Sequence, residues 1–200
     1  MLTFIFRVLL VLAIVLAWSS GSPQNSMAQD TTIQLPAPEK TGGMPLNEAL
    51  ASRASNRSFS PQALDDKDLS QILWSAFGVT RDDGKRTIPT ARDRKELAVY
   101  AVLTTGVYLY NAENNTLTLA LEGDFTKKYA NSPLTLLYAA PDNKFGALHA
   151  GSAYQSVGLY CASANLANVV KTTGADELKG QLKLPDDYQV LVVQSIGHKG

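Results

Sequence analysis

The chain has 200 residues, with 18 Lys+Arg against 18 Asp+Glu and a formal net charge of zero. That balance excludes a general nucleic-acid binder, which carries a basic excess, and 45% hydrophobic with 18% charged residues excludes wholesale disorder. A single cysteine, Cys161, rules out an intramolecular disulfide and a Cys-rich zinc site, and the two histidines, His149 and His198, leave almost nothing for a multi-His metal centre.

Arg7 is the only charged residue before Asp30, and residues 8–18 behind it are an unbroken apolar run of 11. Small and polar residues follow, ending in Ser26-Met27-Ala28. A charged start, an apolar centre and a small-x-small site predict a secretory signal over residues 1–28, with the mature chain periplasmic or secreted. The alternative is an uncleaved N-terminal membrane anchor, because residues 1–6 lengthen the apolar stretch. No cysteine lies directly after the run, which excludes a lipid anchor, and no Arg pair precedes it, so twin-Arg export is not suggested. Residues 29–44, with Pro36, Pro38, Gly42 and Gly43, read as a flexible linker. One folded domain is expected over 45–200.

Residues 45–51 predict a short helix with Pro at its start. Asp65, Asp66 and Asp68 open a stronger one, in which Leu69, Ile72, Leu73, Ala76 and Phe77 recur at helical spacing before Gly78. Residues 81–94 are polar and read as a surface loop, with a turn at Asp82-Asp83-Gly84. A strand is expected over 97–104, then a hairpin of 107–110 with 116–121 across an Asn-rich turn. A short helix over 124–130 and a strand over 134–140 follow. Residues 146–171, rich in Ala, predict one long and largely buried helix that another helix or subunit could approach closely. An amphipathic helix over 175–182 and a strand over 188–196, stopped by Gly197, complete the domain. Helix, then strands, then helix, then strand is an α+β order.

Two clusters could carry chemistry. Arg53 and Arg57 stand four residues apart with Ser55 between them. Guanidinium forks bind phosphate bidentately and a hydroxyl adds a donor, so the trio suits a mononucleotide phosphate. The plainer reading is a solvated face or a pair of salt-bridge partners. Residues 86–96 place Pro89, Thr90 and Ala91 among charged neighbours, ahead of an apolar strand. Small side chains there let a flat ring meet the backbone; the plainer reading is a charged loop. A hydrolase elbow, a phosphate-binding P-loop and a dinucleotide fingerprint are all absent. Cys161 is expected to be a buried structural thiol, and His149 a neutral hydrogen-bonding group rather than a metal ligand.

In order and spacing these segments resemble the FMN-dependent nitroreductase family, nearest to its short branch related to the azoline (thiazole/oxazole) oxidases. The resemblance runs from about residue 45 to 199. It is carried by Arg53-x-Ser55-x-Arg57-x-Phe59, by the helix Leu69-Ser70-Gln71-Ile72-Leu73-Trp74-Ser75-Ala76-Phe77-Gly78, and by Pro89-Thr90-Ala91 ahead of Val99-Tyr100. Residues 106–110 (Gly-Val-Tyr-Leu-Tyr), Gln155, Leu159-Tyr160-Cys161-Ala162 and Gly197 continue it. The resemblance implies an α+β fold with a mixed, mainly antiparallel sheet flanked by helices, and a long central helix at a homodimer interface. It implies FMN as cofactor, with Arg53, Ser55 and Arg57 on phosphate and ribityl chain. Pro89, Thr90 and Ala91 would line the ring, and the backbone around Ala167, Asn168 and Val169 would face the ring's other side near N5. Lys199 could reach the phosphate or fray. Arg92 or Arg94 would stabilise reduced flavin, and a proton could come from water or Tyr160. The implied activity is ping-pong hydride transfer through flavin N5, from a small-molecule donor to an unidentified organic acceptor, with no protein side chain as covalent catalyst. An exported binding protein that keeps the flavin fold without turnover is the alternative. Asp93, Lys95, Ser156, Asn165 and the ending Gly197-His198-Lys199-Gly200 depart from the family pattern.

Overall fold

The computed structural model describes residues 32–200. The expected signal segment lies outside these residues, as do the first three residues of the expected linker. Within the described residues seven strands form one sheet: β1 (Thr32–Gln34), β2 (Ala98–Leu103), β3 (Gly106–Asn111), β4 (Thr116–Glu122), β5 (Leu134–Pro141), β6 (Leu166–Lys171) and β7 (Tyr188–His198). Their order is β1-β4-β3-β2-β5-β7-β6, and every neighbouring pair is antiparallel. The parallel component of the expected mixed sheet is therefore missing among the described residues.

Among the described residues three α-helices accompany the sheet: α1 (Leu46–Ser52), α2 (Asp66–Phe77) and α3 (Gly146–Ser163). The start of α2 is capped by Asp65, whose carboxylate accepts the Asp68 N–H at 2.7 Å, with Asp66 and Asp68 favourably placed in the first turn. Its stop is Gly78, whose N–H donates to the Trp74 carbonyl. The start of α3 has no side-chain cap of its own. Instead Asn143 Oδ1 accepts the N–H groups of Phe145 and Gly146. Ala150, Ala153, Val157 and Cys161 form the buried stripe of α3.

Strand alternation sorts the core into two layers. Val99, Ala101, Leu134, Leu136, Tyr138, Val192 and Ile196 point to the face covered by α2 and α3. Tyr100, Val102, Leu137, Ala139 and Val193 point to the other, where Tyr129, Leu178 and Leu182 cover them. Fully buried side chains such as Ile72, Leu73 and Leu136 each contribute about 1.5–3 kcal/mol. The helices thus pack on one face rather than on both.

Four expectations are corrected. The long helix ends at Ser163: Asn165 takes a left-handed conformation (φ 57°) that reverses the chain, and the segment behind it, with Val169 and Val170, pairs with β7 as β6. Residues 175–182 are a chain of tight turns rather than a helix. Gly174 and Gly180 hold positive φ, and most of the local hydrogen bonds span three residues, while Leu178 and Leu182 still reach the core. Gly197 does not end the last strand but pairs within it opposite Ala167. From Thr32 onward the expected linker is a fixed strap. β1 pairs with β4, Leu35 is buried, and the Pro36 carbonyl accepts Ser70 Oγ at 2.6 Å and Asn115 Nδ2 at 2.7 Å. The strap continues over the helices, with the Met44 N–H donating to Ser163 Oγ.

Candidate functional site

The first cluster is built where α1 stops. Arg53 caps its end and turns extended (φ −57°, ψ 120°), so the chain leaves the helix instead of continuing it through Arg57. Residues 56–60 then run beside the ends of β6 and β7. The Asn56 N–H donates to the Asn168 carbonyl, Ser60 N–H to the His198 carbonyl, and Gly200 N–H to the Ser58 carbonyl, while Phe59 bridges to Lys199. Lys199 is therefore held in place, not frayed. Its ammonium donates to Asn165 Oδ1 at 2.6 Å and keeps further N–H donors.

Arg53 is half-buried, with its stem across Gly158 of α3. A Cβ at Gly158 would lie 3.6 Å from Arg53 Cδ and 3.7 Å from Asn168 Oδ1, so these three residues meet at one point. Ser55 and Arg57 are exposed on the loop. Arg53 and Arg57 enter no ion pair among the described residues. On the same loop Ala54 and Asn56 border a cleft of about 240 Å³ whose polar lining is Ser52, Asn56, Asn165, Asn168 and Lys199; Arg53, Ser55 and Arg57 do not line it themselves.

Asn168 is oriented from behind by a buried polar chain. Its Oδ1 accepts from Gln194 Nε2 (3.1 Å), which also donates to the Tyr154 carbonyl (3.2 Å). Gln194 Oε1 accepts the Tyr138 hydroxyl at 2.6 Å, and burial pushes that phenol's pKa well up, so it stays a donor. Ala167 and Val169 are buried in β6; of the three β6 residues expected at the ring, only Asn168 lines the cleft.

The second cluster is the turn at 89–93. Asp93 N–H donates to the Thr90 carbonyl and Arg94 N–H to the Ala91 carbonyl. Arg92, Asp93 and Lys95 all take left-handed φ (54°, 56° and 52°), a conformation that costs a non-glycine residue roughly 1–2 kcal/mol. Lys85 Nζ lies 2.9 Å from the Asp93 carboxylate and Lys95 Nζ lies 3.8 Å from it. The Lys85 hydrogen bond is the main cause that lowers the Asp93 pKa. The carboxylate that departs from the family pattern is thus paired with Lys85 and stays ionised. Pro89 and Thr90 line a cavity of about 390 Å³ with Arg81, Lys85, Arg86 and Asp93. Ala91 N–H donates to His149 Nε2 at 2.9 Å, which bears out His149 as a hydrogen-bonding group. Arg92 is exposed. Arg94 is engaged with Glu96 at 3.1 Å and with the face of Phe145.

The two clusters share one scaffold but not one cavity. His149 and Gly158 lie nine residues apart on α3, about 13 Å along its axis, and the two cavities have no lining residue in common. Tyr160, considered as a proton source, instead donates to Asp68 Oδ1 at 2.9 Å. Burial, with Asp68 beside it, pushes its pKa up. Cys161 is buried within α3 with a raised pKa, as a structural thiol should be. Asn56 and Gln194 had no signal in the sequence, because their roles come from contacts across more than 25 residues.

A family model described as the nitroreductase family matches residues 50–198. The chain belongs to the nitroreductase family. Among solved structures it is similar to a "putative nitroreductase" of Ralstonia eutropha JMP134, with 34% identity, a TM-score of 0.78, and coverage of 84% of this chain and 90% of that one. A nitroreductase with bound FMN from Bacteroides fragilis NCTC 9343 shares the fold at 13% identity, with a TM-score of 0.57 over 78% of this chain and 88% of that one. Among curated proteins, the "putative nitroreductase MJ1384" of Methanocaldococcus jannaschii is 29% identical over an alignment of 120 residues, and the match covers 57% of this chain. The chain spans 59% of that relative's length.

Proposed function

We propose that this nitroreductase-family chain is an FMN-dependent oxidoreductase of the short, azoline-oxidase-like branch, working as a homodimer on a small organic acceptor. The observation that carries the reading is the loop after α1. It offers Arg53 and Arg57 without carboxylate partners, beside a cleft walled by Asn56, Asn165, Asn168 and Lys199.

These residues fit the cofactor. Arg53, Ser55, Arg57 and Lys199 would hold a phosphate by charge-assisted hydrogen bonds. The asparagines match ribityl hydroxyls, and Gly158 leaves space that a larger side chain would take from Arg53. The small residues of the 89–91 turn suit a flat ring, and Lys85 pairs with the Asp93 carboxylate, whose lone charge would oppose electron uptake there. Arg92 adds an exposed cation at the same turn. When bound, FMN supplies hydride acceptance and donation at N5, used by donor and acceptor in turn in a ping-pong cycle.

Because the two clusters do not meet in one cavity of the chain, a second copy is taken to bring its turn to the first copy's loop. Leu46 and Leu50 on α1 and Leu148 on α3 are the large apolar side chains left exposed on these helices. The signal-like residues 1–28 support a periplasmic or secreted mature protein, whose electron donor must then be met outside the cytoplasm.

The test is Arg53→Ala with Arg57→Ala, titrated with FMN and with riboflavin. Charged hydrogen bonds contribute roughly 1.5–3 kcal/mol each. FMN affinity should therefore fall about 10²–10⁴-fold while riboflavin affinity, lacking the phosphate, hardly moves. Unchanged FMN affinity in the folded double variant would reject the phosphate site. Wild-type protein that binds FMN but is reduced by no donor would favour the binding-protein alternative.

A further inference from the structure

We propose that His149 is the positioning residue of this site: by accepting the Ala91 N–H it fixes the 89–93 turn against α3. The proposal rests on the reading above, in which that turn walls the cofactor ring.

The turn satisfies itself through Asp93 N–H to Thr90 and Arg94 N–H to Ala91. The Ala91 N–H has no such local acceptor and is taken by His149 Nε2 at 2.9 Å, across 58 residues of sequence. Directly after it come Arg92 and Asp93 in left-handed φ. A turn carrying this strain keeps its shape only if its neighbours hold it. The Lys85–Asp93 contact holds the outer side, where both side chains are about half exposed. His149, only 2% exposed, holds the inner side.

The support beneath His149 is rigid. Its ring lies nearly parallel to Phe145 (15°, centroids 6.4 Å apart), and its backbone N–H donates to the Phe145 carbonyl in the first turn of α3. Phe145 in turn carries the Arg94 and Lys144 cations on its ring.

The tautomer makes the role specific. A neutral imidazole that accepts at Nε2 carries its proton on Nδ1, and Nδ1 is buried without a partner among the described residues. Burying an unmet donor is unfavourable, and a leucine or phenylalanine here would avoid it. What an imidazole adds over those side chains is the acceptor facing Ala91.

The full chain is tested as His149→Leu and His149→Gln, the second retaining an acceptor on a side chain of similar reach. Three quantities are read: hydrogen exchange of the Ala91 amide without flavin, affinity for both FMN and riboflavin, and the visible absorption of the bound flavin. In His149→Leu, Ala91 exchange should rise about tenfold or more, the scale of one lost hydrogen bond. Both flavins should weaken together, because the ring wall and not the phosphate grip is affected, and the flavin band should shift. His149→Gln should restore all three. Unchanged Ala91 exchange in His149→Leu, or no rescue by His149→Gln, would overturn the proposal. Faster Ala91 exchange with flavin affinity and spectrum unchanged would uphold the hold on the turn and reject instead its assignment to the ring. If His149→Leu does not fold, the contact is read in the wild-type protein as a scalar coupling across the hydrogen bond between the Ala91 amide nitrogen and His149 Nε2. A resolved coupling is expected, and its absence where the Ala91 amide is itself resolved would overturn the proposal.

Discussion

The polar chain behind Asn168 can be tested by a double-mutant cycle. Tyr138 and Gln194 are both 0% exposed, and their side chains meet at 2.6 Å. Gln194→Leu nearly conserves volume, so its cost lies in polar atoms rather than in a cavity. It orphans the Tyr138 hydroxyl, about 1–3 kcal/mol, and removes the donor shared by Asn168 Oδ1 and the Tyr154 carbonyl, about 1 kcal/mol more. The expected destabilisation is therefore about 2–4 kcal/mol. Tyr138→Phe leaves Gln194 Oε1 without its donor and should cost about 1–3 kcal/mol. With both changes the interface of the pair becomes apolar on each side, and the total should fall short of the sum by about 1–2 kcal/mol. Urea unfolding followed by far-UV circular dichroism gives each value, provided the slope with denaturant is unchanged. Additivity within about 0.5 kcal/mol would mean that the two groups act independently, and the chain described here would be wrong. Gln194→Leu should also weaken FMN, because Asn168 loses the donor that orients it.

Two further outcomes follow from single contacts. The Lys85 ammonium lowers the Asp93 pKa, so this ion pair supports the fold above the unfolded value of 3.8 and is lost as pH falls through the lower folded value. An NMR titration of the Asp93 carboxyl should give a midpoint below 3.8 that rises in Lys85→Met, and a wild-type midpoint at or above 3.8 would contradict the contact. Gly146→Ala would set a Cβ 2.5 Å from the Pro141 carbonyl oxygen, a backbone atom that cannot swing aside. It should destabilise by about 1–3 kcal/mol, and an unchanged thermal midpoint would show that the chain does not pass so close.

Elements whose signal is local were legible in the sequence. Asp65, the Leu69–Phe77 spacing and Gly78 define α2 to within a residue, and the Asn-rich turn marks the β3–β4 hairpin. The errors arose where distant packing decides. Residues 166–170 follow a helix without a proline or glycine break, and only the left-handed Asn165 and the partner strand β7 make them a strand. Leu178 and Leu182 have helical spacing, yet they are buried from a turn. β1 has just Ile33 as a large apolar residue and exists because β4 offers an edge. At the site, Arg53 and Arg57 were visible as a pair. Their neighbours Asn56, Asn168 and Lys199 converge from both ends of the domain, which residue spacing does not encode. The His149–Ala91 contact was half legible: the residue stood out, but its acceptor role needed the fold.

The strap ahead of α1 has a consequence for the order of assembly. Its anchors are β4, α2 and Ser163, the last lying 119 residues downstream of Met44. The part of the domain that comes first in sequence must wait for almost all the rest before it can dock. Until then its edge of the fold stays open, and closure of that clasp reports that α3 is in place.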